Sequence, residues 1–250
     1  MNDCIVPRRR ALLRAGSGLF VLGSTLAARG TRAAVPAVRH LPLTGTDGLR
    51  ANAVTVAAAN YLGRAAVAVE PSDEAQAALL KGGAGNGPTF ALVDAGLGDG
   101  TIEVDLAARI TGTGQPEVRG FVGIAFHVAP ELATWEAIYL RMTNGSRNVP
   151  PPPAPRNQFA IQYISYPDRY WRKLRQEQPN RYEQPAPVAI ETWHRLRIDL
   201  AGSVARAAVD GQEVLTVTDL RFPGRSGAVG LWVDDGTTGY FSDLRLTVRG

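Results

Sequence analysis

Cysteine, histidine and long apolar runs are all scarce in this chain. Cys4 is the single cysteine among 250 residues, and there are three histidines. A disulfide framework and a zinc site built from cysteines are therefore excluded. The apolar stretch near the N-terminus is shorter than the roughly 20 residues needed to cross a bilayer. No glycine-rich phosphate loop and no serine nucleophile elbow is present, and we expect neither a cofactor nor a metal ion.

The N-terminal segment has the order of features that is typical of an export signal. Three arginines at residues 8–10 precede an apolar stretch at residues 18–28. Small residues follow, which favours cleavage near Ala33 or Ala34. The arginines resemble a twin-arginine signal, although Pro7 replaces the usual serine or threonine before them. A general secretory signal is the alternative, and an uncleaved N-terminal anchor is the third possibility.

Removal of this segment changes the charge of the chain. Residues 1–33 hold six of the 27 Lys and Arg residues and one of the 23 acidic residues, which leaves a net charge near −1. Nucleic-acid binding proteins carry a strong basic excess, so a nucleic-acid partner is not expected. We predict a signal peptide at residues 1–33 and a single domain at residues 36–250, exported to the periplasm or beyond, with no membrane contact afterwards.

Strand patterns dominate the rest of the chain. Alternation of apolar and polar residues indicates half-buried strands, and Asp210-Gly211 between two such runs is a strong hairpin signal. Only residues 72–80 and 168–177 favour helices. Many short strands with few helices predict an all-β fold, a jelly-roll sandwich of two antiparallel sheets. The predicted strands are 52–58, 64–70, 89–95, 101–110, 120–128, 136–142, 194–200, 204–209, 213–217, 228–233 and 240–248.

Residues 143–192 interrupt this series of strands. The segment opens with four consecutive prolines, at residues 150–153, which are extended and cannot join a sheet. Connections of this length usually carry function or cover part of the protein. We therefore predict a long loop insertion at about 143–192 that packs across one sheet, because it is rich in aromatic residues.

The second half of the chain resembles the concanavalin-A-like lectin and glucanase superfamily. Within it the chain looks most like laminin-G-type and 3-keto-disaccharide-hydrolase-like domains. The resemblance covers roughly residues 95–250 and is clearest over 191–248. It implies a jelly-roll sandwich and a saccharide or glycoside ligand. The residues that carry it are Trp193-x-x-Leu196-x-Ile198, Asp210-Gly211, Gly227-x-x-Gly230-Leu231 and Gly239-Tyr240-Phe241-x-Asp243-Leu244.

Glu103 and Asp105 form a candidate carboxylate pair. They alternate with apolar residues on one strand, so both point away from the core. The glucanases of the resembled superfamily use a strand of the form Glu-x-Asp-x-(x)-Glu, in which the two glutamates react. Ala107 and Ala108 stand where the last glutamate is required. A retaining glycosidase needs both groups, so we interpret this pair as an ordinary solvated or ion-paired strand face.

A second polar face gives the candidate binding site. His127 shares one side of its strand with Gly123 and Ala125, and Tyr139 and Arg141 share one side of the next. A hairpin would set Gly123 and Ala125 opposite Arg141 and Tyr139, which leaves room above the sheet for a sugar ring. The predicted ligand-binding residues are His127, Tyr139, Arg141, Gln162, Tyr166 and Trp171.

Three functions remain open at this point. The first is an exported carbohydrate-binding domain without a complete glycosidase pair. The second is a glycoside-active enzyme whose catalytic acid is not identified, with Glu136 as a neighbour of the wrong strand parity. The third is a structural or protein-interaction sandwich. The turn Asp234-Asp235-Gly236 suits either an acidic turn or a Ca²⁺ site, and the oligomeric state is undetermined.

Overall fold

The computed structural model describes residues 1, 37–82, 86–112 and 118–249. All the elements below belong to the unit Val35–Gly250. The described residues form two α-helices, α1 (Asp73–Gly82) and α2 (Trp171–Glu177). Their strands are β1 (Ala37–Leu41), β2 (Arg50–Asn52), β3 (Val54–Tyr61), β4 (Arg64–Pro71), β5 (Phe90–Leu97), β6 (Gly100–Ile110), β7 (Phe121–Val128), β8 (Trp135–Arg141), β9 (Ile161–Tyr166), β10 (Glu183–Gln184), β11 (His194–Ala201), β12 (Val204–Val209), β13 (Gln212–Val217), β14 (Gly227–Val233) and β15 (Thr237–Val248).

The strands form two antiparallel sheets. Sheet 1 has eight strands in the order β13-β12-β11-β6-β15-β4-β3, with β1 also paired to β15. Sheet 2 has seven strands in the order β10-β9-β8-β7-β14-β5-β2. The predicted fold class, a two-sheet jelly-roll sandwich, is therefore confirmed.

The core lies between the sheets and follows the alternation of the sequence. Ile102, Val104 and Leu106 of β6 face inward from sheet 1 and are at most 1% exposed. Ile124 and Ile138, which are opposite each other on β7 and β8, face inward from sheet 2. Strands with one apolar and one polar face are the expected building units of such a sandwich.

The outer face of sheet 1 carries ion pairs. Glu103 pairs with Arg197 at 3.4 Å, and Asp105 pairs with Arg64 at 2.7 Å and with Arg195 at 3.1 Å. These side chains are partly exposed, as the interpretation of Glu103 and Asp105 as a solvated, ion-paired face requires. The ion pairs link β6 to β4 and β11, and positions 107 and 108 of β6 are alanines.

The segment 143–192 differs from the predicted loop insertion. It contains β9, α2 and β10, and the two strands form one edge of sheet 2. Polar and aromatic residues alternate weakly there, so the sequence shows no clear strand period.

The short strands β1 and β2 were also not predicted. The Asp210-Gly211 turn is confirmed, with φ values of 50° and 83° between β12 and β13.

Neither described helix is long and apolar enough to cross a membrane.

Candidate functional site

The side of sheet 2 that faces away from sheet 1 is lined by large aromatic residues, and we call it the outer face of sheet 2. Phe90, Trp135, Tyr139 and Trp232 lie there, and each is at most 1% exposed. The ring centroids of Tyr139 and Trp232 are 4.8 Å apart, and those of Trp135 and Trp232 are 6.4 Å apart. Four packed aromatic rings on one face form a continuous apolar floor.

Gly123 allows Tyr139 to lie close to β7. A Cβ atom on Gly123 would come within 2.4 Å of the Tyr139 Cα atom and 2.5 Å of the Ile138 carbonyl oxygen. The strand pairing sets Gly123 opposite Tyr139 and Phe121 opposite Arg141. The register predicted from the sequence, with Gly123 opposite Arg141, is therefore wrong by two residues. The backbones approach too closely here for any larger residue than glycine.

Arg141, Tyr139 and Gln162 form a buried polar cluster on this face. The Arg141 guanidinium donates to the Tyr139 hydroxyl at 3.0 Å and to the Gln162 side-chain oxygen. The Tyr139 hydroxyl donates to the same oxygen at 3.3 Å. Burial raises the pKa of Tyr139 above its usual value, so its hydroxyl stays protonated and acts as a neutral hydrogen-bonding group. The three predicted site residues are thus brought together, as the sequence analysis expects.

The cluster is covered by part of the segment 143–192, which the sequence analysis expects to pack across one sheet. Trp171 of α2 lies over Arg141, with 5.9 Å between the guanidinium carbon and the ring centroid. Arg141 also donates to the Phe159 carbonyl oxygen at 3.3 Å and to Glu183 at 3.4 Å. Arg141 is 5% exposed and Gln162 is fully buried. The room above the sheet that the predicted hairpin left for a sugar ring is therefore occupied, since α2 and its flanks lie above the floor.

Two buried donors on this face have no hydrogen-bond partner. The indole N–H of Trp135 and the side-chain NH₂ of Gln162 are both shielded from solvent and unpaired among the described residues. Buried polar groups in proteins are paired in the great majority of cases, because an unpaired donor costs roughly 1–3 kcal/mol. His127 Nε2, on the other side of sheet 2, is also unpaired among the described residues, so the feature particular to the outer face is that two unpaired donors lie beside an aromatic floor.

Asp234 and Asn86 connect the cover to the floor. The Asp234 carboxylate accepts the backbone N–H groups of Asn86 at 2.8 Å and of Asp235 at 2.9 Å. The Asn86 side-chain oxygen accepts the backbone N–H of Trp171 at 3.3 Å, at the start of α2. Burial raises the pKa of Asp234 to about 6. This carboxyl group therefore titrates close to neutral pH at the margin of the aromatic floor.

His127 lies on the opposite side of sheet 2 from Tyr139, so its predicted place in the site is wrong. Its backbone has a φ of 51°, and the pairing of β7 with β14 is irregular beside it. A β-bulge of this kind reverses the side to which a side chain points. The His127 imidazole is hydrogen-bonded to Glu136 at 2.7 Å, and Tyr163 donates to the same carboxylate at 2.5 Å. These three side chains form a separate buried cluster within the sandwich.

Tyr166 and Trp171 occupy the two ends of the outer face. The Tyr166 ring stacks on Trp135 at a centroid distance of 5.4 Å, and both Tyr166 and Trp171 are partly exposed. Sequence reasoning missed Trp135 because the predicted strand began one residue later. Trp135 has the same parity as Tyr139 and Arg141, so a strand starting at 135 would have included it. Trp232 and Glu183 were missed because nothing in one sequence reveals which strands are neighbours.

The other two histidines of the chain are each hydrogen-bonded to an aspartate. His194 is buried and bonded to Asp210 at 2.9 Å, and the exposed His40 is bonded to Asp243 at 2.6 Å. Across the described residues, no group of three or more His, Cys, Asp or Glu side chains is placed to hold a metal ion.

The chain is similar in fold to solved sandwich proteins. A Bacillus subtilis protein of unknown function with a galectin-like fold aligns with a TM-score of 0.50 and 10% identity, covering 88% of this chain and 99% of that one. The likeness is one of fold. Weaker alignments are found with the carbohydrate-binding module CBM66 from Bacillus subtilis (TM-score 0.46, 12% identity, 78% of this chain and 96% of that one) and with the Crh5 transglycosylase in complex with NAG (0.48, 14%, 88% and 89%). No family model matches the chain, and no curated protein sequence matches it.

Proposed function

We propose that this protein is an exported carbohydrate-binding domain whose ligand lies on the outer face of sheet 2. The observation that carries the proposal is the pair of unpaired buried donors, Trp135 Nε1 and Gln162 Nε2, on an aromatic floor. Aromatic rings stack on the apolar faces of sugars, and fixed polar groups orient the hydroxyls. The resemblance of residues 191–248 to lectin-type domains supports the same ligand class.

Ligand entry requires the cover to move. The side chains of Trp171 and Arg175 are partly exposed and form the outermost layer above Arg141. α2 has seven residues, and Leu174 is its buried anchor. We expect outward rotation of the Trp171 and Arg175 side chains to expose Arg141 and Gln162, while Leu174 keeps α2 attached. The short helix therefore acts as the gate of the proposed site.

A glycan array followed by calorimetry tests the proposal. Tyr139→Phe removes the hydroxyl that bonds Arg141 and Gln162, and it should weaken saccharide binding about tenfold, the effect of one lost hydrogen bond of about 1–1.5 kcal/mol. Tyr182→Phe is the matched control, since it removes a buried hydroxyl that bonds Asp219 at 2.6 Å elsewhere. Binding to no saccharide, or equal weakening by both variants, would contradict the proposal.

A glycoside-active enzyme is the second candidate function. The observation that favours it is the acid Asp234, whose pKa is raised to about 6, on the same face as the ion-paired Glu183. Glycosidases combine a protonated acid with an ionised carboxylate in this way. Hydrolysis of a bound saccharide that is lost in Asp234→Asn but retained in the control Glu103→Gln would establish this function. Binding without turnover would exclude it.

A further inference from the structure

Gln162 offers the proposed site a donor and no free acceptor. Its side-chain oxygen already accepts from Arg141 and from the Tyr139 hydroxyl, so the orientation of the amide is fixed by these two donors. The NH₂ group on the other side is buried and unpaired. An incoming group is therefore met by an N–H donor at this point.

Arg141 shares its acidic partner, Glu183, with a second arginine that binds this carboxylate more closely. Glu183 is held by Arg175 through two short hydrogen bonds, of 2.7 and 2.6 Å, whereas Arg141 reaches the same carboxylate only at 3.4 Å. Two guanidinium groups thus share one carboxylate, and the nearer of them engages both of its oxygens. Arg141 is the more deeply buried of the two, and a buried cation is stabilised by an anion at hydrogen-bonding distance.

A neutral hydroxyl fits this position poorly. A sugar hydroxyl is both a donor and an acceptor, and its O–H group needs an acceptor when buried. The oxygens of Gln162 and Glu183 are already engaged by two donors and three donors, respectively. A carboxylate accepts only, so it would pair with the Gln162 NH₂ group and take over the Arg141 N–H groups that now reach Phe159 and Glu183 only at 3.3 and 3.4 Å.

We infer that the saccharide bound on the outer face of sheet 2 is anionic and that its carboxylate, as in a uronic acid residue, lies between Gln162 Nε2 and the Arg141 guanidinium. This inference rests on the proposed function and adds the substrate class to it. The aromatic floor of Tyr139 and Trp232 carries the sugar ring, and the polar cluster selects the carboxylate. Trp171 closes over the complex.

Matched pairs of saccharides distinguish this inference from the proposed function itself. Uronate-bearing oligosaccharides and their carboxyl-reduced counterparts differ only in a carboxylate replaced by a hydroxymethyl group. The purified protein should bind the uronate form at least about tenfold more tightly, because charge-assisted hydrogen bonds are roughly twice as strong as neutral ones. Equal binding of both forms overturns the inference and leaves the proposed function intact. Binding of neither form overturns both.

Two variants with opposite expected effects test the position of the carboxylate. Gln162→Glu places a carboxylate beside Arg141 and removes the free donor, so uronate binding should weaken at least about tenfold while the fold is kept. Glu183→Gln removes the competing anion, so uronate binding should strengthen. Gln158→Glu makes the same change as the first variant at an exposed site near Phe159 and should have little effect. Thermal unfolding and near-UV circular dichroism check the fold of each variant.

Weakened or unchanged uronate binding in a Glu183→Gln variant that folds normally would overturn the inference, since both outcomes are what a purely structural role for Glu183 predicts. Unchanged uronate binding in Gln162→Glu would also overturn it.

Discussion

The stability of the folded protein depends on pH in part through the carboxyl group of Asp234. Burial raises its pKa from 3.8 to about 6, so the folded protein binds a proton more tightly than the unfolded chain does between these two values. The folded state is therefore stabilised by protonation, and this stabilisation is lost as the pH rises from about 4 to 6. A shift of this size corresponds to roughly 2–3 kcal/mol.

We expect the pH dependence of unfolding to change specifically in Asp234→Asn. The free energy of unfolding of the parent should fall between pH 4 and pH 6 relative to that of the variant, by roughly 2–3 kcal/mol, and the difference should be constant above pH 7. Urea denaturation at a series of pH values measures it. Asp94→Asn serves as the control because the Asp94 side chain is 84% exposed. Parallel curves for parent and Asp234→Asn would contradict the assignment.

The alternation of side chains along a strand correctly placed Tyr139 and Arg141 on one face, but it placed His127 on the wrong one. Tyr139 and Arg141 share a strand face because they are two residues apart, and this follows from strand geometry alone. His127 obeys the same parity in the sequence, but a positive φ angle reverses its side chain. Bulges depend on the pairing of strands that are distant in sequence, here β7 and β14, so alternation within one strand does not reveal them.

At the scale of single elements, the contact between β7 and β8 depends on Gly123. Gly123→Ala would place a Cβ atom within 2.4–2.5 Å of backbone atoms of β8, which cannot rotate away as a flexible side chain could. We expect a loss of about 1–3 kcal/mol in the free energy of unfolding, typical of overpacking, and weaker saccharide binding because Tyr139 shifts.

Gly45→Ala is the appropriate control for this variant, because no atom lies within 4 Å of its added Cβ. It should unfold at nearly the parent urea concentration. If Gly123→Ala behaved in the same way, the close approach of Gly123 to Tyr139 would have no energetic significance.

The sequence predicts which segments of this fold are strands better than it predicts which strands pair with one another. The alternating runs of β6, β7 and β11 are long enough to define a buried side, and the structure contains each of them. β9 and β10 were not predicted, because β10 has two residues and β9 is buried on both sides. A strand buried on both sides loses the alternation that identifies it. These are also the strands that bring Gln162 and Glu183 to the site, which is why its polar half could not be assembled in advance.

At the scale of the whole molecule, we propose that the protein is exported with loss of residues 1 to about 33. The described structure does not include residues 2–36, so this prediction depends on the arginines at residues 8–10 and the apolar stretch after them. N-terminal sequencing of protein recovered from the periplasm or medium should give a start near residue 34. An intact Met1 on protein recovered from the cytoplasm would contradict export.

The same experiment can identify the export route. Replacement of Arg8, Arg9 and Arg10 by lysine keeps the positive charge that a general secretory signal requires. Loss of export in this variant would assign the twin-arginine route, and normal export would assign the general one. Substituting Arg29 by lysine is the control, since this arginine follows the apolar stretch.

The position of β15 in sheet 1 has a consequence for the order of events during synthesis. β15 ends at Val248, yet it lies in the middle of the sheet, between β6 on one side and β4 and β1 on the other. While β15 is still inside the ribosome, the strands on either side of its place in sheet 1 have already been made. The strand that joins these two halves of the sheet is then missing. Such long-range pairing is slow to form. The chain therefore completes its fold only after translation of this strand, and until then its unjoined strand edges need protection from other chains.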